Sequence, residues 1–266
     1  MVTSGAGLKQ QTCKLRIRLI LLAWVASLCW TLEAAWCQSP SSKAGLSEAQ
    51  QLDTVSIVDL SAKFLDFYKA ASQPNVDPEK RWLLWKQKYD FAAVPPIAVG
   101  QKIAREHLDE GWTQYPTALQ RIEKGAAGLK PAPQPLLEKV VILLGSKQAV
   151  HIRLIAFVGT FHREAFATGL KDGVSTIAIP LEDSDEQHAL DMTHEFSHAV
   201  EMQQGNWSGQ SVASTLFTEG LAMRVTEQLF LGKAPNIYTA SSPEWMQQCS
   251  TELPRVLRDL QSHLRD

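Results

Sequence analysis

Two histidines and a glutamate in the stretch DMTHEFSHAV, residues 191–200, have the residue types and spacing of a metal site. His194 and His198 are four positions apart, so on an α-helix they lie one turn apart on the same face and both imidazoles can reach one ion. Glu195 follows the first histidine, where its carboxylate can take a proton from a metal-activated water. This HExxH spacing predicts a zinc site with a general base.

A third ligand is expected from another segment, because a catalytic zinc normally has three protein ligands and one position for water. FTEGLA, residues 217–222, lies on the next predicted helix. A helix, a Gly-containing turn and a return helix would bring Glu219 back beside the histidines, and Gly220 would allow a close approach. The sequence therefore predicts His194, His198 and Glu219 as the ligands of one Zn²⁺.

Two other interpretations of the histidine pair stay open. The first is a metal-free, exposed helix, but the surrounding residues Leu190, Phe196, Ala199 and Val200 favour a buried helix, in which histidines need partners. The second is a non-catalytic zinc-binding or protein-interaction module. A purely structural zinc has four protein ligands and needs no base, so Glu195 favours the enzyme over this alternative.

The elements that must position these residues follow the hydrophobic pattern. Residues 38–135 are expected to be a helical region ending in a linker, and residues 136–266 a region with strands and further helices. Helices are predicted over 47–71, 79–91, 100–123, 185–203, 211–231 and 243–264, strands over 151–159 and 174–180, and a linker over 125–135. Residues 136–144 fit a helix or a strand, and GNWSG, residues 205–209, breaks the helical pattern. This order predicts the α+β class.

HEFSH followed by FTEGLA resembles the gluzincin class of zinc metallopeptidases. The run from DGVSTIAIP to TEGLA is similar to predicted zinc-dependent protease families of unknown function. The resemblance covers roughly residue 136 to the C-terminus. It implies a zincin-like fold, a small mixed sheet with an edge strand, and hydrolysis of a peptide or protein substrate with Glu195 as the base. Residues 175–179 would be the edge strand that pairs with an extended substrate.

The resemblance also implies side chains around the metal. A transition-state donor is expected, and Tyr238, in a loop after the ligand helix, is the candidate. His151, His162 and His188 are weaker candidates that we interpret as polar surface residues. Several gluzincins use an acid one turn after the ligand glutamate to orient a histidine, but Met223 stands there in this chain. Asp191 and Glu201 are nearby acids that we interpret as surface salt-bridge partners.

The first 37 residues have the pattern of a secretory signal peptide. Four basic residues precede an apolar run at 19–30, which is shorter than the about 20 residues of a membrane span, and small residues follow it. The pattern predicts export, periplasmic or secreted, with cleavage near Cys37 and no stable membrane span afterwards. A lipid on Cys37 or an uncleaved anchor is the less favoured interpretation.

Composition narrows the function classes further. The chain is 45% hydrophobic and 20% charged, as in a folded globular protein. Its net charge of −2 becomes more negative without the basic leader, which argues against nucleic acid as a partner. Three of the four cysteines lie in the leader, so Cys249 remains alone and no internal disulfide framework is expected.

Overall fold

The computed structural model describes residues 52–205 and 211–265, and these residues confirm the α+β class. They belong to two compact units: one is Leu52–Gln204, and the other includes residues 205–265. The predicted signal peptide, its cleavage site and most of the GNWSG break lie outside the described residues. In the described part of the chain, no helix is long and apolar enough to cross a membrane.

The first unit contains a four-stranded sheet among its described residues. Its spatial order is β1 (Thr54–Asp59), β2 (His151–Phe157), β4 (Val174–Pro180) and β3 (Phe166–Lys171). β1, β2 and β4 run parallel, and β3 pairs antiparallel with β4. The strands predicted at 151–159 and 174–180 are confirmed. Strand β3 was not predicted. It leads into β4 through a turn in which Asp172 and Gly173 both have positive φ.

The prediction of one helix over 47–71 is confirmed for Ser61–Ala71 and wrong for residues 52–60. Residues 54–59 form strand β1, and a helix begins only at Ser61. The β-branched side chains of TVSIVD favour a strand, and β1 has a parallel partner in β2. The Asp59 carboxylate accepts a hydrogen bond from Ser61 N at 2.8 Å, which stabilises the switch from strand to helix.

The assignment of residues 175–179 to the sheet edge is also wrong. Strand β4 lies between β2 and β3, and Ser175, Ile177 and Ile179 are fully buried. The edge on this side is β3, whose last four residues are exposed. A strand covered on both faces reads as a continuous apolar run, so its sequence cannot distinguish an interior position from an edge.

The first unit has six α-helices in its described residues, and all but the fifth were predicted in whole or in part. They are α1 (Ser61–Ala71), α2 (Pro78–Lys88), α3 (Ala98–Gly111), α4 (Tyr115–Lys124), α5 (Pro133–Leu144) and α6 (Asp185–Gln203). The helix predicted over 100–123 is interrupted by a 3₁₀ turn at Trp112–Gln114, which separates α3 from α4. The expected linker contains a second 3₁₀ turn, Gly125–Gly128, and is shorter than predicted, because α5 begins at Pro133. Residues 136–144, left open by the sequence, are helical.

An aromatic cluster anchors the helices to the end of β2. Phe64 packs edge-on against Trp85 and Tyr89, and all three side chains are buried. The Tyr89 hydroxyl donates to Val158 O at 2.9 Å, and the Tyr115 hydroxyl donates to Gly159 O at 2.8 Å. Buried phenols need such partners, and here they fix the first residues after β2.

The second unit is helical in its described residues. It contains α7 (Val212–Leu229), the short α8 (Pro235–Tyr238) and α9 (Pro243–Gln261). Ser211 caps α7 in a capping box with Ser214, and Ala213 N donates to Leu264 O at 3.2 Å, which ties the two ends of the unit together. Cys249 is buried in α9, and burial raises the pKa of its thiol.

Candidate metal centre

Helix α6 carries the histidine pair and is buried on almost every side. Ser184 caps its first turn by accepting a hydrogen bond from Gln187 N, and Asp185 and Glu186 suit the positive end of the helix dipole. The four apolar residues from which the sequence predicted burial are all buried, as expected: Leu190, Phe196, Ala199 and Val200. An exposed helix with two solvated histidines is thereby excluded.

Hydrogen bonds hold α6 to the sheet at both ends. Near its start, the His188 ring bonds Pro180 O at 2.9 Å, at the end of β4. Near its end, the Gln203 side-chain amide donates to His151 O at 2.8 Å and accepts from His151 N at 3.0 Å, at the start of β2. The helix therefore runs opposite to β2 and β4 and cannot slide along them.

These contacts correct the interpretation of His188 as a surface residue. Its side chain is buried, and burial is the main cause that lowers the pKa of its imidazole. The hydrogen bond of its Nε2 to Pro180 O gives His188 a structural role at the start of α6. His151 also has a local partner, because its Nδ1 lies 2.8 Å from Thr54 Oγ1 on the neighbouring strand.

The structure brings His194 and His198 together as the spacing predicts. Their Nε2 atoms lie 3.0 Å apart, and the two rings are nearly perpendicular, at 85°. Two nitrogen ligands of a tetrahedral zinc are about 3.3 Å apart, for Zn–N bonds of roughly 2.0 Å. The two nitrogens thus already have nearly the separation that an ion between them needs, and the pair fits zinc.

Glu195 lies beside the pair and is only 7% exposed. A carboxylate in such a place is expensive to bury unless it has partners or a function. Asp191, one turn earlier, is close enough for the two acids to repel each other electrostatically. Burial, followed by repulsion from Asp183 and Glu195 against a hydrogen bond from Gln187, raises the pKa of Asp191 to about 7.

Asp191 and Glu201 are not surface salt-bridge partners, contrary to the interpretation of the sequence. Asp191 accepts a 2.6 Å hydrogen bond from the Gln187 side chain, and Glu201 is 4% exposed. Glu201 Oε2 lies 3.9 Å from His198 Nδ1, the nitrogen opposite the one that faces His194. At 3.9 Å the contact is an ion pair and not a hydrogen bond, so Glu201 acts on the ring through its charge, which favours a proton on Nδ1 and leaves Nε2 for a metal. Sequence spacing offered Glu201 as a candidate but gave no sign of its burial.

Glu219 and Tyr238, the other predicted site residues, belong to the second unit. Glu219 is half-buried on α7 between the buried residues Thr218 and Gly220. The Tyr238 hydroxyl donates to Phe230 O at 2.6 Å and accepts a hydrogen bond from Lys233 N at 3.2 Å. In this structure the phenol therefore stabilises the turn that follows α7.

Comparison of the chain with protein-family models, with curated proteins and with solved structures finds no match. The function is therefore inferred from the residues of the site.

Proposed function

We propose that the protein is an exported zinc-dependent peptidase with a zincin-like fold. The observation that carries this proposal is the 3.0 Å separation of the His194 and His198 Nε2 atoms on a buried helix that also carries Glu195. Sequence resemblance supplies the third ligand, Glu219. A zinc ion held by these residues would polarise a peptide carbonyl and lower the pKa of a water.

The protein side chains have separate parts in the proposed reaction. Glu195 accepts the proton of the attacking water and delivers it to the leaving amine. The charge of Glu201, 3.9 Å from His198 Nδ1, would favour a proton on that nitrogen and leave Nε2 for the metal. Tyr238 is the proposed donor to the developing oxyanion; its hydroxyl would have to exchange Phe230 O for the substrate, as active-site hydrogen bonds can on substrate binding.

The sheet suggests how an extended peptide would bind. Strand β3 is the exposed edge on the side where α6 packs against β3 and β4. An edge strand offers unpaired N–H and C=O groups, and a peptide can add to it as a further strand. We propose β3 for this part, in place of the residues 175–179 that the sequence had indicated.

Elemental analysis of the purified full chain tests the ligand set. His198→Gln and Glu219→Ala are each expected to lose one equivalent of zinc relative to the wild type. Glu227→Ala is the control for the carboxylate, since Glu227 lies on the same helix and pairs with Arg224. His151→Gln is the control for the imidazole. Unchanged zinc in both ligand variants would overturn the proposed centre, and unchanged zinc in Glu219→Ala alone would remove the third ligand.

A further inference from the structure

A second group of possible metal ligands lies in the first unit, away from the HExxH motif in sequence. His107 on α3 and His162 and Glu164 on the loop between β2 and β3 each offer a ligand atom, and these atoms all lie within 4.8 Å of one another. All three side chains are partly buried. Sequence analysis named His162 only as a weak candidate for a transition-state donor, and it did not predict that these three residues come together.

The loop after β2 is held in a costly conformation that places His162 and Glu164 together. Phe161 and Arg163 have φ values of 65° and 54°, a region that side chains other than glycine rarely adopt. Thr160 donates to the Glu164 carboxylate twice, from N at 3.2 Å and from Oγ1 at 2.8 Å. Gly111 permits the approach of α3, because a Cβ there would lie 2.8 Å from Thr160 O.

The His162 ring lies between a backbone carbonyl and a carboxylate. His162 Nδ1 lies 2.8 Å from Thr160 O, so this nitrogen donates. Nε2 lies 3.2 Å from Glu110 Oε2. A proton on Nε2 or a metal ion can lie between these two atoms, and in the metal-bound form Nε2 would carry the lone pair. A backbone carbonyl on Nδ1 is also the usual way in which a histidine ligand is oriented.

The spacing suits the same class of metal as the first site. His107 Nδ1 lies 3.4 Å from Glu164 Oε1, and His162 Nε2 lies 3.2 Å from Glu110 Oε2. Both separations are close to the about 3.3 Å between two ligands of a tetrahedral zinc. Imidazole nitrogens with carboxylate oxygens are ligands that zinc accepts, whereas magnesium and calcium prefer oxygen alone.

We propose that His107, His162 and Glu164 form a second divalent-metal site of the zinc class. Glu110 lies outside this group with a side chain that is 57% exposed, and it would move in as a fourth ligand. Glu110 lies one turn after His107 on α3, so two ligands come from the helix and two from the loop. With four protein ligands the site would be closed and structural. Its metal would fasten the loop after β2 to α3.

Metal binding requires one change in the site. The His107 and His162 rings are stacked, 3.8 Å apart and only 8° from parallel. One ion cannot lie in the planes of two parallel rings, so one ring must turn. His107 has the longer contact with its carboxylate, 3.4 Å, and is the ring expected to turn.

Zinc titration of the full chain against a chromophoric chelator tests the second site independently of the first. In a His194→Gln/His198→Gln background, one equivalent of zinc is expected to remain. Adding His162→Gln is expected to lower the affinity for this remaining zinc by about a hundredfold or more. The matched control, His151→Gln, should leave this affinity unchanged. Cobalt added in place of zinc should give the visible absorption of a tetrahedral site, which His162→Gln should abolish.

The outcomes separate the two sites. The second site is overturned if the His194→Gln/His198→Gln protein binds no zinc, or if His162→Gln does not lower its zinc affinity. Neither result bears on the HExxH centre. Conversely, a wild type and a His194→Gln/His198→Gln protein with the same single equivalent would support the second site and overturn the first. Circular dichroism and thermal melting confirm folding; if His162→Gln does not fold, His107→Gln on the face of α3 provides the same test.

Discussion

The two histidine groups of the first unit contain similar residues in opposite arrangements. His194 and His198 are nearly perpendicular and meet at their Nε2 atoms, 3.0 Å apart, on a buried helix. His107 and His162 are stacked in parallel, and each turns a nitrogen toward a carboxylate. The first pair is therefore arranged for an ion as it stands, whereas the second must rotate a ring. Preorganisation of the ligands should make the first site the tighter one.

Loss of one ligand from the preorganised pair should have the largest effect. We expect His198→Ala to weaken zinc binding at the HExxH centre by about a thousandfold, because each ligand contributes a large share of the binding free energy. His107→Ala should leave that affinity unchanged. Competitive zinc titration measures both, and an equal loss in the two variants would show that the groups are not independent.

The loop that carries the second group should make the stability of the protein depend on pH. Glu182 accepts hydrogen bonds from Gly159 N and Phe161 N on this loop. Burial, with added repulsion from Asp183, raises the pKa of Glu182 to about 8 from 4.5. The folded state thus holds a proton that the unfolded state releases above pH 4.5, so the free energy of unfolding should fall by a few kcal/mol as the pH rises from about 4.5 through 8.

Urea unfolding at a series of pH values measures this dependence. Glu182→Gln should reduce this dependence, and the remainder should come from Asp183 and Asp191, whose pKa values burial raises to about 6 and about 7. Glu123→Gln, at an exposed position, should leave the dependence unchanged. Amide exchange should speed up first in the loop around Gly159. A stability that rises over the same pH range would contradict the assignment of the proton to Glu182.

Loss of the Glu201 charge next to His198 should have an intermediate effect on zinc affinity. Glu201→Gln keeps the size of the side chain but removes the charge that faces His198 Nδ1 at 3.9 Å. We expect zinc affinity at the HExxH centre to fall roughly tenfold to a hundredfold, as for other groups beside a histidine ligand. Glu227→Gln is the matched control. If both variants bind zinc like the wild type, the charge of Glu201 does not act on the ring.

The smallest expected effect concerns the approach of α3 to the loop. Gly111→Ala places a Cβ 2.8 Å from Thr160 O, and the required shift should cost about 1–3 kcal/mol, reduced by the better helix propensity of alanine. Gly169→Ala on β3 is the control, because nothing lies within 4 Å of its Cβ. Thermal melting, followed by zinc titration in the His194→Gln/His198→Gln background, should show a loss only for Gly111→Ala.

How much of the molecule the sequence could predict depends on the range of the interactions. The His194–His198 pair follows from the repeat of a single helix, and the apolar residues around it correctly indicated burial. β1 was missed because its β-branched residues also fit the helical pattern that continues into α1. Three features depend on contacts between segments that are distant in sequence, so no local pattern predicts them. They are the position of β3 outside β4 at the sheet edge, the burial of Glu201, and the contact of His107 with His162.

We propose that the HExxH helix holds a metal for hydrolysis, with Glu195 as the base. The most direct test measures zinc content and peptide cleavage side by side in the wild type and in Glu195→Gln, using a peptide library read by mass spectrometry. We predict the same zinc content in both proteins, cleavage by the wild type, and a loss of cleavage of about a hundredfold to ten-thousandfold in the variant. Undiminished cleavage by a zinc-loaded Glu195→Gln protein would exclude Glu195 as the general base.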